Sequence, residues 1–159
     1  FYEVELEPFD ENYFIEKIEK GILENNNNNF KSDVQGEMTS FQFFVEDPFL
    51  EKILKNFLRG IKFERGWGIV LVDAWGIKMT KGCYTNYHDH IESSYSGILY
   101  LSKSSVPLIL PELNKKIYPE KYKILFFDSF LNHGTEKIID ETKYAIAFNF
   151  KKNKYWKAT

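Results

Sequence analysis

From residue 67 to residue 152 the sequence is a succession of short apolar or alternating runs. "WGIVLVDAWGIKMT", "SGILYLS", "VPLIL", "KILFFDSF" and "KYAIAFNFKK" follow one another, broken by Gly, Pro, Asn and Ser clusters. Runs of this length, rich in Val, Ile and aromatic residues and punctuated by turn formers, read as β-strands. Aromatic residues make up 18% of the chain, which favours strands and a deep apolar interior. Nothing in this half has the length or period of a helix.

The first 60 residues have another texture. "DENYFIEKIEKGIL" (10–23) spaces Phe14, Ile15, Ile18 and Ile22 near the helical period, with Asp10 as N-cap. "DPFLEKILKNFLR" (47–59) predicts a second helix. Asp47 caps it, Pro48 occupies its first turn, and Phe49, Leu50, Ile53, Leu54, Phe57 and Leu58 form its apolar face. Between them "ENNNNNFKSD" reads as a polar loop. Two helices followed by many strands predict an α+β, mainly β domain, with N-terminal helices packed on a sandwich or barrel. A chain of 159 residues without internal repeats is expected to form one domain, a helical part over 1–60 and a β core over 65–152.

Composition removes several classes of function. Net charge is −2 with both signs interspersed, so no basic stripe points to nucleic acid. No apolar run approaches the roughly 20 residues that span a bilayer. A single cysteine, Cys83, excludes an internal disulfide and a cysteine-based zinc site. That usage suits a reducing compartment, and a cytoplasmic setting is expected.

The chain has three histidines, and two lie one residue apart in "NYHDHIESSYSGILYL". In an extended segment, side chains two apart share a face. His88 and His90 then look into one volume and Asp89 into the other. The third, His133, follows the run "KILFFDSF". A barrel brings strand ends together, and non-haem iron sites use three protein groups on one face, usually two His and one carboxylate. His90 stands where the carboxylate is usual, which leaves the site more positive by about one unit charge. Asp89, turned inward, is the alternative third ligand.

The same residues carry a family resemblance. "AWGIKMTKGCYTNYHDHIESSYSGILYLS" has Trp75, Lys81-Gly82, His88, His90, Ser96-Gly97 and Tyr100 in order. "ILFFDSFLNHGTEKIIDETKYAIAFNF" adds Phe127-Asp128, His133, Lys143 and Phe148-Asn149, and "KSDVQGEMTS" adds Asp33 and Gly36. The pattern resembles the iron(II)/2-oxoglutarate-dependent oxygenases of the prolyl-hydroxylase-like superfamily, over about residues 30–150. It departs from them at Ile91, where Pro is frequent, at Asp128 for Pro, and at Lys143 for Arg. The resemblance implies a double-stranded β-helix, or jelly roll, with Fe(II) in its mouth. It also implies coupling of 2-oxoglutarate decarboxylation and O2 to substrate oxidation, commonly hydroxylation, with release of succinate and CO2.

Carried over residue by residue, the resemblance makes His88, His90 and His133 the iron ligands. It makes Lys143 the grip on the far carboxylate of 2-oxoglutarate. Lys143, Ala145, Ala147 and Asn149 share one face of their strand, and the two alanines leave room for a small diacid. A lysine grips as a point charge, so a second donor is needed. The Ser that the family places two residues on is Ala145 here, which makes Tyr84 or Tyr100 the candidate. Asn149 is expected near the co-substrate, and Trp75 and Asn86 at the wall. Two other functions compete: a three-His cupin-type dioxygenase working without 2-oxoglutarate, and a jelly-roll binding module without catalysis. The substrate, a small molecule or a peptide, is not readable. Polar loops at "ENNNNNF" and "LPELNKKIYPEK" are the expected lid or rim.

Overall fold

The computed structural model describes residues 1–25, 33–63, 68–139 and 141–153. Alternation in the sequence is resolved there as two antiparallel sheets. The six-stranded sheet runs β1 (Tyr2–Glu5), β9 (Lys123–Asp128), β6 (Tyr95–Tyr100), β11 (Lys143–Lys152), β4 (Ile69–Met79), β3 (Glu37–Met38). The five-stranded sheet runs β2 (Val34–Gln35), β5 (Tyr84–His88), β10 (His133–Thr135), β7 (Leu108–Leu110), β8 (Lys115–Ile117). Between β4 and β11 the chain crosses from one sheet to the other at every connection except β7–β8, which stays within the smaller sheet. This is the jelly-roll arrangement expected, with the helices on one side.

β11 shows how period-2 alternation divides the apolar surface. Ile146, Phe148 and Phe150 face a cluster shared with the helices, while Ala145 and Ala147 face the space between the sheets. Helix α1 (Glu11–Glu24) buries Phe14 and Ile18, and α2 (Pro48–Gly60) buries Leu50, Leu54 and Phe57, against the outer face of the larger sheet. Gly76 of β4 makes the close approach of α1 possible. A Cβ there would lie 2.3 Å from Ile18. Asp47 caps α2 as expected, accepting from the N–H groups of Phe49 and Leu50 at 3.0 Å each. It also accepts from the Tyr13 hydroxyl at 2.8 Å and Lys17 at 3.2 Å, which ties α1 to α2. Burial opposes the charge on Asp47, but the Leu50, Tyr13 and Lys17 donors outweigh it and hold its pKa below the ordinary value.

Several expectations need correction. Asp10 precedes α1 but makes no side-chain cap. Phe49, assigned to the buried face of α2, is 57% exposed, because the packed stripe is the narrower Leu50–Leu54–Phe57 row. Strands β1, β2 and β3 were not anticipated; they are short and form by pairing with strands distant in sequence. "LPELNKKIYPEK" is not a free loop: Pro111–Leu113 form a 3-10 turn and Lys115–Ile117 pair with β7. Most of the asparagine-rich loop, 26–32, lies outside the described residues, and with it the expected lid.

Gly97 of β6 tests the packing. A Cβ there would lie 2.2 Å from the Phe148 ring and 2.5 Å from the Leu125 carbonyl oxygen. Gly97→Ala is expected to cost about 1–3 kcal/mol by overpacking. Gly60→Ala, at a position with open space around it, is expected to be neutral or slightly stabilising. Urea midpoints of the two variants should therefore move in different directions or by clearly different amounts.

Candidate metal centre

Pairing of β5 with β10 brings the first two imidazoles together. His88 ends β5, His133 begins β10, and the two are direct cross-strand partners. The ladder is irregular between His133 and Thr135, and there the Thr135 hydroxyl accepts the Thr85 N–H at 2.9 Å. His133 therefore does not close the "KILFFDSF" strand, as expected; it opens a short strand in the opposite sheet.

His90 reaches the site by another route. It lies beyond the end of β5, so the shared-face argument for an extended H-x-H does not place it. A loop returns it, fixed by a bond from its N–H to the Ser129 carbonyl at 2.8 Å. The ring centroids stand 4.4 Å apart for His88–His133, 4.8 Å for His88–His90 and 5.2 Å for His90–His133. One nitrogen from each ring lies within 4.8 Å of the others. Asp89 is exposed, and its carboxylate faces the Ile91 N–H at 3.4 Å, away from this cluster.

The rings are oriented for ligation. His88 Nδ1 lies 2.7 Å from the Asn86 carbonyl, and His133 Nδ1 lies 3.1 Å from the Leu131 carbonyl. A carbonyl only accepts, so Nδ1 carries the proton in both rings and Nε2 keeps its lone pair. Burial, then the neighbouring His88, pushes His90 down to about 4. Burial, then His88, pushes His133 down to about 3. These two imidazoles are neutral at pH 7, the form that binds a divalent ion. The donor set is three nitrogens, suited to a first-row transition metal.

Behind the histidines is a tight cavity of about 40 Å³. Trp75, Phe127, Leu108, Ala145, Ala147, Asn149 and Lys143 are among its lining residues. Lys143 is 5% exposed, and among the described residues no carboxylate forms an ion pair with it. Burial pushes its ammonium down to about 8, and its Nζ lies 5.7 Å from the Tyr100 ring centre. Among the described residues, the Tyr100 hydroxyl and the Trp75 indole N–H are buried without a hydrogen-bond partner.

Other candidates fall elsewhere. Tyr84 does not line the cavity; its neighbour Thr85 does, because adjacent strand residues point to opposite sides. Asn149 lines the cavity, but its amide is engaged with Ser96 and Asp73. Asn86 is exposed and contributes its carbonyl to His88. Cys83 is half-buried and packs against the Trp75 cluster. Sequence reasoning missed Ser129 and Asp73. Isolated polar residues in strands and turns carry no local signal, whereas Ser96 was visible within the Ser-Gly motif.

The histidines should make the metal-free protein acid-sensitive. Folded His90 and His133 hold protons less tightly than the ordinary 6.5, so the unfolded chain binds more protons below that pH. Above 6.5 they contribute no slope; stability falls as pH drops from 6.5 towards about 3–4 and is flat in these groups below that. Thermal melting of metal-free protein should decline between pH 7 and 5, and His133→Gln should flatten that decline.

No protein-family model matches the sequence, and no curated protein matches it. Solved structures do share its architecture. The viral collagen prolyl hydroxylase of Paramecium bursaria Chlorella virus-1, in complex with 2-oxoglutarate, superposes with a TM-score of 0.70 at 17% identity over 94% of both chains. HygX of Streptomyces hygroscopicus, with nickel, 2-oxoglutarate and hygromycin B bound, gives 0.69 at 10% identity over 94% of this chain and 81% of that one. A 2OG-Fe(II) oxygenase-family oxidoreductase of Burkholderia pseudomallei gives 0.53 at 14% identity, over 67% and 58%. At these identities the likeness establishes architecture: this chain has the fold of the 2-oxoglutarate- and iron-dependent oxygenases.

Proposed function

We propose that this protein is an Fe(II)/2-oxoglutarate-dependent dioxygenase that oxidises its substrate, by hydroxylation in the simplest case. One observation carries the reading: three imidazoles converge at a cavity that also holds a buried lysine without a counter-ion among the described residues. A metal-binding module needs no buried ammonium, and a carboxylate-bearing co-substrate does. The likeness to structures holding 2-oxoglutarate, one with nickel as the metal, supports the same pair of ligands.

The residues present fit both groups. His88, His90 and His133 would hold the ion through neutral nitrogens, leaving positions for co-substrate and oxygen. Bound Fe(II) supplies the oxidising chemistry, in which O2 and 2-oxoglutarate yield succinate, CO2 and an oxidised substrate. Lys143 would neutralise the far carboxylate of 2-oxoglutarate; Tyr100, whose ring centre lies 5.7 Å from Lys143 Nζ though it is not among the residues lining the cavity, is the candidate second donor. Ala145 and Ala147 leave the volume through which the diacid reaches the histidines. Phe127, Trp75 and Leu108 exclude water and strengthen both electrostatic contacts. The substrate is a small molecule or a peptide; the structural neighbours include a collagen prolyl hydroxylase and a protein holding hygromycin B. The single cysteine suits a cytoplasmic setting. Among the described residues, no helix is long and apolar enough to cross a membrane.

A three-His dioxygenase working without 2-oxoglutarate is the second reading, favoured by the absence of a carboxylate from the His cluster among the described residues. Lys143 separates the two. Anaerobic addition of Fe(II) and then 2-oxoglutarate should give a weak visible charge-transfer band, and oxygen should then yield succinate. Lys143→Ala should retain Fe(II) and bind 2-oxoglutarate at least about tenfold more weakly, the loss of one charged hydrogen bond. Unchanged 2-oxoglutarate affinity would transfer the chain to the second reading. No band and no succinate above a His133→Ala control would remove the 2-oxoglutarate-dependent reading.

Lys143 also sets a pH dependence. Its ammonium is charged at pH 7 and loses its proton above about 8 in the free protein. Affinity for 2-oxoglutarate should be level near neutrality and weaken as pH rises through 8 to 9, when followed by isothermal titration. Lys143→Arg, which stays charged, should remove that decline.

A further inference from the structure

The turn between β9 and β10 meets the site at two points. Its Ser129 carbonyl accepts the His90 N–H at 2.8 Å, and its Leu131 carbonyl accepts from His133 Nδ1 at 3.1 Å. The Ser129 N–H donates in turn to the Ser94 carbonyl at 3.1 Å. The loop from Asp89 to Ser94 is thus stitched to Ser129 near both of its ends. His90 has no strand of its own; its N–H is held by this stitching, while its carbonyl accepts the Ser93 N–H at 2.8 Å and the Ser94 N–H donates to the Phe150 carbonyl at 2.9 Å.

Ser129 is itself held from behind. Its side chain is buried, and its hydroxyl lies 2.9 Å from that of Ser96. Ser96 donates to Asn149 Oδ1 at 2.6 Å, and Asn149 Nδ2 donates to Asp73 Oδ2 at 3.2 Å. Asp73 Oδ1 also accepts from Gln42 Nε2 at 2.8 Å. Proton counting gives this row a direction. Ser96 has one hydroxyl proton, which goes to the acceptor Asn149 Oδ1, so Ser129 must donate to Ser96. Each member therefore donates to the next, from Ser129 to a carboxylate at the outer end, and bonds aligned in this way reinforce one another.

Register creates the row. Asp73, Asn149 and Ser96 are direct cross-strand partners on β4, β11 and β6. Packing alone is served as well by apolar residues, as the next row on the same face shows with Trp75, Ala147 and Ile98. We propose that Ser129 is the positioning residue that fixes His90, braced by the directional row Ser96–Asn149–Asp73. The proposal rests on the reading of His90 as a metal ligand for its consequence, a third imidazole held at a set angle to the other two.

Ser129→Ala removes the hydroxyl and keeps the carbonyl that His90 uses. Calorimetric titration with Co(II) should show the variant binding about tenfold more weakly, the scale seen for partners that orient ligands. In a His90→Ala background, Ser129→Ala should cause little further loss. Affinity within twofold of the native protein, or an equal loss with and without His90, overturns the proposal. Amide exchange of the metal-free protein gives a readout independent of metal. The His90 N–H should exchange at least about tenfold faster in Ser129→Ala, with the β4 and β11 amides unchanged. Equal His90 exchange overturns the brace. Faster exchange in a protein that takes up no Co(II) upholds the brace and overturns the metal reading instead.

Discussion

Pairing between β5 and β10 is the constraint on which the site depends. It sets His88 opposite His133, and it does so in the smaller sheet, where strands are short and the ladder is irregular. A slip of one residue would turn one imidazole out of the cavity. The register is reinforced by the Thr85–Thr135 bond and by a strand on either side of the pair, β2 and β7. The larger sheet plays a different part. Backed by both helices, it forms a rigid wall that carries Lys143, the two alanines and the polar row.

Electrostatics divide the cavity between two kinds of group. Burial penalises charge, so it keeps His90 and His133 neutral, and the same burial pushes Lys143 down to about 8. The lysine still carries its proton at pH 7, while the two imidazoles do not. The cavity thus presents nitrogen lone pairs where the rings meet and a positive charge at Lys143. A ligand that is anionic at one end and binds metal at the other matches that distribution, and a dicarboxylate with an adjacent keto group has both features.

Much of this arrangement was legible beforehand. The five β runs, both helices and the inward face of β11 follow from period and turn chemistry, which are local. Most of the partial misses share a cause. Phe49 fits a helical stripe but sits at its edge, and only packing against the sheet decides which residues of the stripe are covered. Tyr84 and Tyr100 were equal candidates in the sequence; strand direction sends one outside and buries the other. Strands β2 and β3 are two residues each and exist through partners that the sequence places far away; β1 differs, because Tyr2, Glu3, Val4 and Glu5 alternate apolar and charged and carry a strand signal of their own.

The sequence by itself determined that this chain would be mainly β, that two of its three histidines lie one residue apart, and that one lysine stood on the face of a strand with alanines. These are properties of neighbouring residues, governed by side-chain type and a period of two. Tertiary structure decided that His133 would face His88 across a ladder, that His90 would arrive from a loop, and that Ser129, Ser96, Asn149 and Asp73 would align. Each of those facts depends on register between strands far apart in the chain, and register is set by the packing of the whole sheet, which no local stretch of sequence contains.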